Sequence, residues 1–376
     1  MKNSLFLLFF CLLQLMLANC SAPPVEPEKV LRGSWTHYKR TFIKEGRVVR
    51  PENNGDTVSE GQAYAMLRAV LMDDKKTFDD CLAWTESNLS RRSSMGDALL
   101  AWHYQNAQIS DKTAASDADI DYGYALLLAS RKWHNKNYQD LAQEVLQAIL
   151  DHETVVIEGR LYLLPYTTVD GSVTKPVAQN PSYYAPSHFK LFYEISGDRR
   201  WLDLADTGYE LIGRLQRYAG DRQRPALVPD WCALGPKGEI VHLPGKPMIY
   251  GWDALRVPIR IAADYQLNGD PRALPVLKRF ALFFENEFNK NGKIYGEYSC
   301  ERDLWRPYEN SLFYTAAYAA TRSAGFSIAS AILNKQRASL RFDGKECFYN
   351  EPKDYYVNSL AWLTEYWQRT KTKDNP

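Results

Sequence analysis

Three aspartates, Asp117, Asp119 and Asp121, crowd into five positions of "SDADIDYGYALLLASRKW", the stretch that runs from Ser116 to Trp133 into an apolar helical pattern. Two more acids hold similar places: Glu60, directly after Ser59 in "SEGQAYAMLRAVLMD", and Asp253 in "YGWDALRVPIRIAADY". A helix start leaves amide donors unpaired and carries partial positive charge, so carboxylates gathered there are held ionised and aimed past the helix end. Each also has a plainer reading. Ser59, Asp117 and Asp253 suit N-caps, Glu60 suits a first-turn partner of the helix dipole, and Asp121 suits a solvated first-turn acid. Other chemistries lack their signatures. No HExxH, GxSxG or glycine-rich phosphate loop occurs, the six histidines are scattered, and no CxxC or Cys/His cluster indicates zinc.

The elements that must carry these acids are helices in pairs. "EGQAYAMLRAVLMD" precedes "KKTFDDCLAWTESNLS"; "DIDYGYALLLASRKW" precedes "NYQDLAQEVLQAILDH"; "SYYAPSHFKLFYEIS" precedes "RRWLDLADTGYELIGRLQRY". "GWDALRVPIRIAADYQ" with "PRALPVLKRFALFFENEFN" and "ENSLFYTAAYAATRSA" with "SIASAILNK" continue the series, and "YYVNSLAWLTEYWQR" closes it. The first helix of each pair is small and apolar all round, while the second shows one apolar stripe, which predicts buried inner helices ringed by outer ones. With "EKVLRGSWTHYKRTFI" as the missing partner there are about six pairs, so the expected fold is all-α, an α/α toroid. "TVVIEGRLYLLP" and "GEIVHLPG" read as hairpins on its rim. In such a toroid the acid-bearing starts of inner helices share one central cleft.

Residues 1–20 have the layout of an export signal: Lys2, then "LFLLFFCLLQLMLA", then small and polar residues. "LANC" also fits a lipoprotein site at which Cys20 is acylated; ordinary cleavage and lipidation both place the mature chain outside the cytoplasm. Residues 21–29 read as a proline-rich tether, and 30–376 as a single domain. With 46 basic and 45 acidic residues the formal charge is +1, which argues against a nucleic-acid partner. Tyr 24, Trp 10 and Phe 15 make aromatics the compositional outlier, and in an exported protein such a surplus suits a groove that stacks on sugar rings. Cys81, Cys232, Cys300 and Cys347 form two disulfides or stay free and buried. These features favour a carbohydrate-active enzyme over a binding protein.

"TVSEGQAYAMLRAV", "AASDADIDYGYALLLASRKW", "NPSYYAPSHF" and "YGWDALRVPIRIAADY", in this order, resemble glycoside hydrolase family 8 over essentially the whole mature chain. The resemblance implies an (α/α)6 barrel that hydrolyses β-1,4-linked glucan, xylan or chitosan with inversion at the anomeric carbon. It implies Glu60 as general acid, Asp253 as general base, and Asp117 as the residue that binds and distorts the sugar and supports charge in the transition state. Asp119 is then a structural acid. Arg256 would orient the base, Tyr183 would lie near water and substrate, Trp102 would stack on a sugar ring, and Asp230 and Trp231 would line the cleft. Trp252 departs from the tyrosine that relatives often carry before the base. "SEGQ", "NPSYY" and the export signal are most similar to endoglucanases associated with bacterial cellulose synthesis. No metal or organic cofactor is implied, since two carboxylates and water suffice. The expected partners are a β-1,4-linked polysaccharide and a cellulose-synthesis complex, with a membrane reached only through Cys20; a monomer is expected. Xylanase, chitosanase or a catalytically silent glycan-binding protein for polysaccharide assembly are the alternatives.

Overall fold

The computed structural model describes residues 26–218, 227–301 and 306–369. The export signal, including Cys20, lies outside the described residues. Helix α1 (Pro27–Phe42) comes first. Then come α2 (Ser59–Leu71) with α3 (Lys75–Asn88), a single turn α4 (Arg92–Met95), and α5 (Ser116–Trp133) with α6 (Lys136–His152). The series continues with α7 (Pro186–Ser196) and α8 (Arg200–Tyr218), α9 (Arg256–Asn268) and α10 (Ala273–Asn291), and α11 (Ser311–Ser323) and α12 (Ala329–Arg337). Two short helices, α13 (Tyr355–Leu360) and α14 (Leu363–Arg369), follow.

The neighbours fall into two layers. In one, α2 packs on α5, α5 on α7, α7 on α9, α9 on α11, α11 on α13, and α13 on α2. Outside them α3 packs on α2, α6 on α5, α8 on α7, α10 on α9 and α11, α12 on α11, and α1 on α13 and α14. Composition explains the sorting. Helix α2 buries Ala63, Ala65, Met66 and Ala69 on several faces, whereas α6 buries the single stripe Ala142, Val145, Leu146 and Ile149. Close approach is built in at Gly123 of α5, where an added Cβ would stand 2.9 Å from a Leu146 methyl of α6. Between α7 and α8 the fully buried Trp201 packs on Phe189 and Phe192, at ring separations of 5.7 and 4.8 Å. Truncating it to alanine would cost about 3–5 kcal/mol. The first and last segments are tied by Arg68 of α2, which donates to Ser34 Oγ (2.7 Å) and the Asn358 carbonyl (3.2 Å) and lies over the Trp362 ring.

The strands are short. Thr154–Ile157 pairs with Arg160–Leu163 as the expected hairpin. Ile240–Val241 is not a hairpin of its own, because it pairs with Cys232–Leu234, which in turn pairs with Val177–Gln179. The hairpin Leu340–Asp343 with Glu346–Tyr349 was not anticipated. Two boundaries also differ. Residues 27–29, assigned to the tether, are helical, since Pro27 fits the first turn of α1, where no amide donor is needed. The closing helix is interrupted between Leu360 and Leu363. All four of Cys81, Cys232, Cys300 and Cys347 are free and buried. Among the described residues no helix is long and apolar enough to cross a membrane.

Candidate active site

Glu60 reaches the cleft because Thr57–Val58 is held extended against His103–Gln105, and the chain turns into α2 at Ser59. The Ser59 amide donates to the Trp102 carbonyl (2.9 Å), which leaves Glu60 in the first helical turn with its carboxyl partly exposed. Asp117 and Asp119 lie inside the first turn of α5, one and three residues after Ser116, and do not precede the helix. Asp253 does not open a helix. It sits in the turn ahead of α9, which begins at Arg256.

Arg256 joins the three acids. Its Nη1 donates to Asp117 Oδ2 (2.7 Å) and Glu60 Oε2 (3.2 Å), and its Nη2 to Asp253 Oδ1 (2.7 Å). The same Nη1 lies 3.2 Å from the Tyr64 hydroxyl, and the guanidinium stands 5.1 Å from the Tyr183 ring centre. One cation cannot neutralise three carboxylates, and burial makes each remaining charge expensive. Burial, with the charges of Asp117 and Asp253 added and Arg256 opposing, pushes Glu60 up to about 7. Burial also raises Asp117, against the pull of Arg256. At both acids desolvation works against the helix dipole that would hold them ionised, and at Glu60 it outweighs the dipole.

Asp253 is aimed by its neighbours. Trp231 donates its indole N–H to Asp253 Oδ2 (2.9 Å). Asp230 Oδ1 accepts the amides of Gly251 (2.9 Å), Asp253 (3.1 Å) and Ala254 (2.7 Å), so it pins the turn that carries Asp253. Glycine is needed at 251, because a Cβ there would lie 2.5 Å from Asp230 Oδ2. Burial and the nearby Asp253 charge push Asp230 up to about 7. Asp230 and Trp231, expected as cleft lining, thus have their polar contacts with Asp253 and its turn. Tyr183, in the turn Pro181–Tyr183, meets Trp231 nearly edge-on at 6.2 Å. Trp102 is half-buried, stacked on His103 at 4.8 Å and bonded to Asp111, and no polar contact joins its side chain to the acids.

Asp119 is fully buried, and its Oδ1 accepts the Leu100 amide (2.9 Å), as a structural acid should. Asp121 corrects the sequence reading. Instead of being solvated it is buried, bonded by Arg260 through both oxygens (2.8 and 3.0 Å) and by His188 (3.2 Å), whose ring stacks on Tyr124. Burial works against its ionised form, but Arg260 and His188 hold the carboxyl well below the usual range.

An open cavity of about 390 Å³ contains Glu60 and Asp253, walled by Trp252, Tyr355, Tyr356 and Arg50. Neither these two tyrosines nor Tyr64 carries a sequence signal, because a tyrosine on an apolar inner helix has the pattern of a core residue. "YY" at the head of α13 stands where α2 and α5 carry acids, and the Tyr355 hydroxyl lies 3.5 Å from Glu60 Oε1. Trp252 stacks on Tyr308 at 6.1 Å, and its carbonyl accepts the Tyr356 hydroxyl (3.0 Å).

An acid pair facing an open cleft, bridged by one arginine in a mostly helical layered fold, suits a hydrolase that uses carboxyl chemistry. The family model of glycosyl hydrolases family 8 matches residues 12–369, and the chain belongs to that family. It is 29% identical over 355 residues to Endoglucanase A of Acetivibrio thermocellus, covering 90% of this chain and 69% of that protein. It is 27% identical over 336 residues to an endoglucanase of Escherichia coli (strain K12), covering 84% and 83%. Among solved structures it resembles the endo-1,4-D-glucanase of Vibrio fischeri ES114, with TM-score 0.75, 25% identity and 90% and 94% of the two chains covered. The endo-beta-1,4-glucanase CMCax of Acetobacter xylinum, at TM-score 0.72 and 23% identity over 91% and 98%, shares the fold.

Proposed function

We propose that this protein is an endo-acting β-1,4-glucanase that works by inverting general acid/base hydrolysis. The observation that carries the reading is that Glu60, Asp117 and Asp253 gather on the single Arg256 guanidinium beside an open cleft, where burial and the neighbouring carboxylates, against the pull of Arg256, raise Glu60 to about 7. Glu60 gives its proton to the departing glycosidic oxygen. Asp253, held by Trp231 and Arg256 and left partly open to solvent, takes a proton from the attacking water. Asp117 binds the sugar at the point of cleavage and supports the forming oxocarbenium, without bonding to it. Tyr183, under the Arg256 guanidinium, lies near the water and substrate, and Trp252 walls the cleft beside these acids. Arg256, Asp230 and Trp231 act through Asp253, and Trp102 lies in the bend just before the strand His103–Gln105, where its carbonyl accepts the Ser59 amide beside Glu60.

The helix neighbours support a closed (α/α)6 barrel in one catalytic domain that starts with α1. The endoglucanase relatives support glucan as substrate, and the sequence before α1 supports export to the periplasm or exterior, with or without lipidation of Cys20. A monomer working beside a cellulose-synthesis complex is the context we favour. The test is viscometry and reducing-end release on carboxymethylcellulose, run beside xylan, barley β-glucan and chitosan. A rapid fall in viscosity with few new ends on glucan is expected. Faster release from xylan or chitosan would move the substrate within the family, and binding without new ends on any of them would leave a silent glycan-binding protein.

A further inference from the structure

The inner helices enclose a second cavity, on the far side of the catalytic layer. Below Arg256 a lumen of about 330 Å³ remains between α2, α5, α9 and the α13–α14 corner, within the roughly 300–1,000 Å³ of small-molecule sites. Its wall is apolar, with aliphatic side chains from Leu67 and Leu71 of α2, Leu128 of α5 and Ile259 of α9 and aromatic rings from Tyr124 of α5 and Trp362 of the α13–α14 corner. Leu267, 59% exposed, marks the end where the chain of α9 stops. Such a wall offers water few partners.

The ceiling is polar, and both of its guanidinium groups are already paired with carboxyl groups. Arg260 spends both terminal nitrogens on Asp121, and Arg256 is shared by three carboxyl groups. One donor is left over. Arg260 is 8% exposed, lines the lumen, and its Nε is buried without a hydrogen-bond partner. A ligand that completes this site brings an accepting oxygen for Nε and an apolar body for the leucines. It carries no negative charge, which the Asp121 carboxylate beside Nε would repel.

We propose that the lumen is a binding site for a neutral single-chain amphiphile, an alcohol or carbonyl compound of medium chain length, separate from the glycan cleft. The proposal does not depend on which glycan is cleaved. It is tested by calorimetric titration of the mature protein with 1-octanol, and with octanoate as the charged counterpart. Saturable 1:1 binding of octanol is expected, with octanoate at least tenfold weaker. Ala263→Leu, which fills the lumen from α9, and Leu71→Trp, which fills it from α2, should each weaken octanol binding at least tenfold while glucan hydrolysis stays within twofold. If one variant does not fold, the other decides. Absence of saturable octanol binding, octanoate binding as tight as octanol, or full octanol affinity in a folded filling variant would each overturn the proposal.

Discussion

Two ion pairs join α5 to α9 one helical turn apart, Asp117 with Arg256 and Asp121 with Arg260. The residue types are the same and the spacing along each helix is the same, yet the two layers behave in opposite ways. In the lower layer one arginine meets one carboxylate through two bonds, His188 adds a third, and the carboxyl is driven down. In the upper layer one arginine is divided among Asp117, Glu60 and Asp253, and burial drives Glu60 and Asp117 up. The stoichiometry of charge, together with an opening to solvent, separates a site that can hold and release a proton from a strut that holds two helices together.

The largest effects should come from changing the upper layer. Glu60→Gln keeps the shape but cannot donate a proton, so kcat should fall at least ~10²-fold. A glycosyl fluoride, whose leaving group needs little protonation, should lose less; equal losses on both substrates would count against Glu60 as the acid. Asp253→Asn should be at least as damaging on polysaccharide, and added azide should restore part of the rate by supplying a nucleophile.

In the lower layer the same type of change should act on stability. Asp121→Asn leaves the buried Arg260 without its charge partner and should lower the unfolding free energy by about 3–5 kcal/mol in urea titrations, while the folded fraction keeps most of its kcat. Glu60→Gln should go the other way. With its folded pKa raised to about 7, Glu60 stabilises the fold fully only below the ordinary carboxyl range, and that contribution is lost as pH rises through about 7. Wild type should therefore lose stability across that window relative to Glu60→Gln. A wild type that gained relative stability over the same window would reverse the sign of this account.

The pH profile gives a smaller effect. The basic limb of kcat/KM should fall near 7, where the acid loses its proton. Asp117→Asn removes a charge that raises Glu60, so the limb of the residual activity should move to lower pH. An unmoved limb would mean that Asp117 and Glu60 do not share the guanidinium. The smallest effect concerns the cysteines. With Cys81, Cys232, Cys300 and Cys347 free and buried, a reducing agent should leave the thermal midpoint unchanged.

Much of this was legible in the sequence, for reasons that particular residues make plain. The inner helices announce themselves by small residues on every face, as in Ala63, Ala65 and Ala69, and the outer ones by single stripes such as Val145, Leu146 and Ile149. Glu60, Asp117 and Asp253 stood out because acids clustered at the starts of such helices. Their grouping on Arg256 did not, since a partner 139 or 196 residues away leaves no local trace. Asp121 was misread for the same reason: its spacing is that of a first-turn acid, and only the packing of α5 on α7 and of α7 on α9 brings in His188 and Arg260. Asp230 looked like cleft lining because its three contacts are backbone amides, which no side-chain pattern records.

The most direct test of the central claim is the anomeric form of the first product, followed by proton NMR as β-glucan is cleaved. With Glu60 as acid, Asp253 as base and Asp117 unbonded to the sugar, the α-anomer should appear first and equilibrate later to the mixture. A β-anomer appearing first, or a glycosyl group trapped on Asp117, would contradict the account.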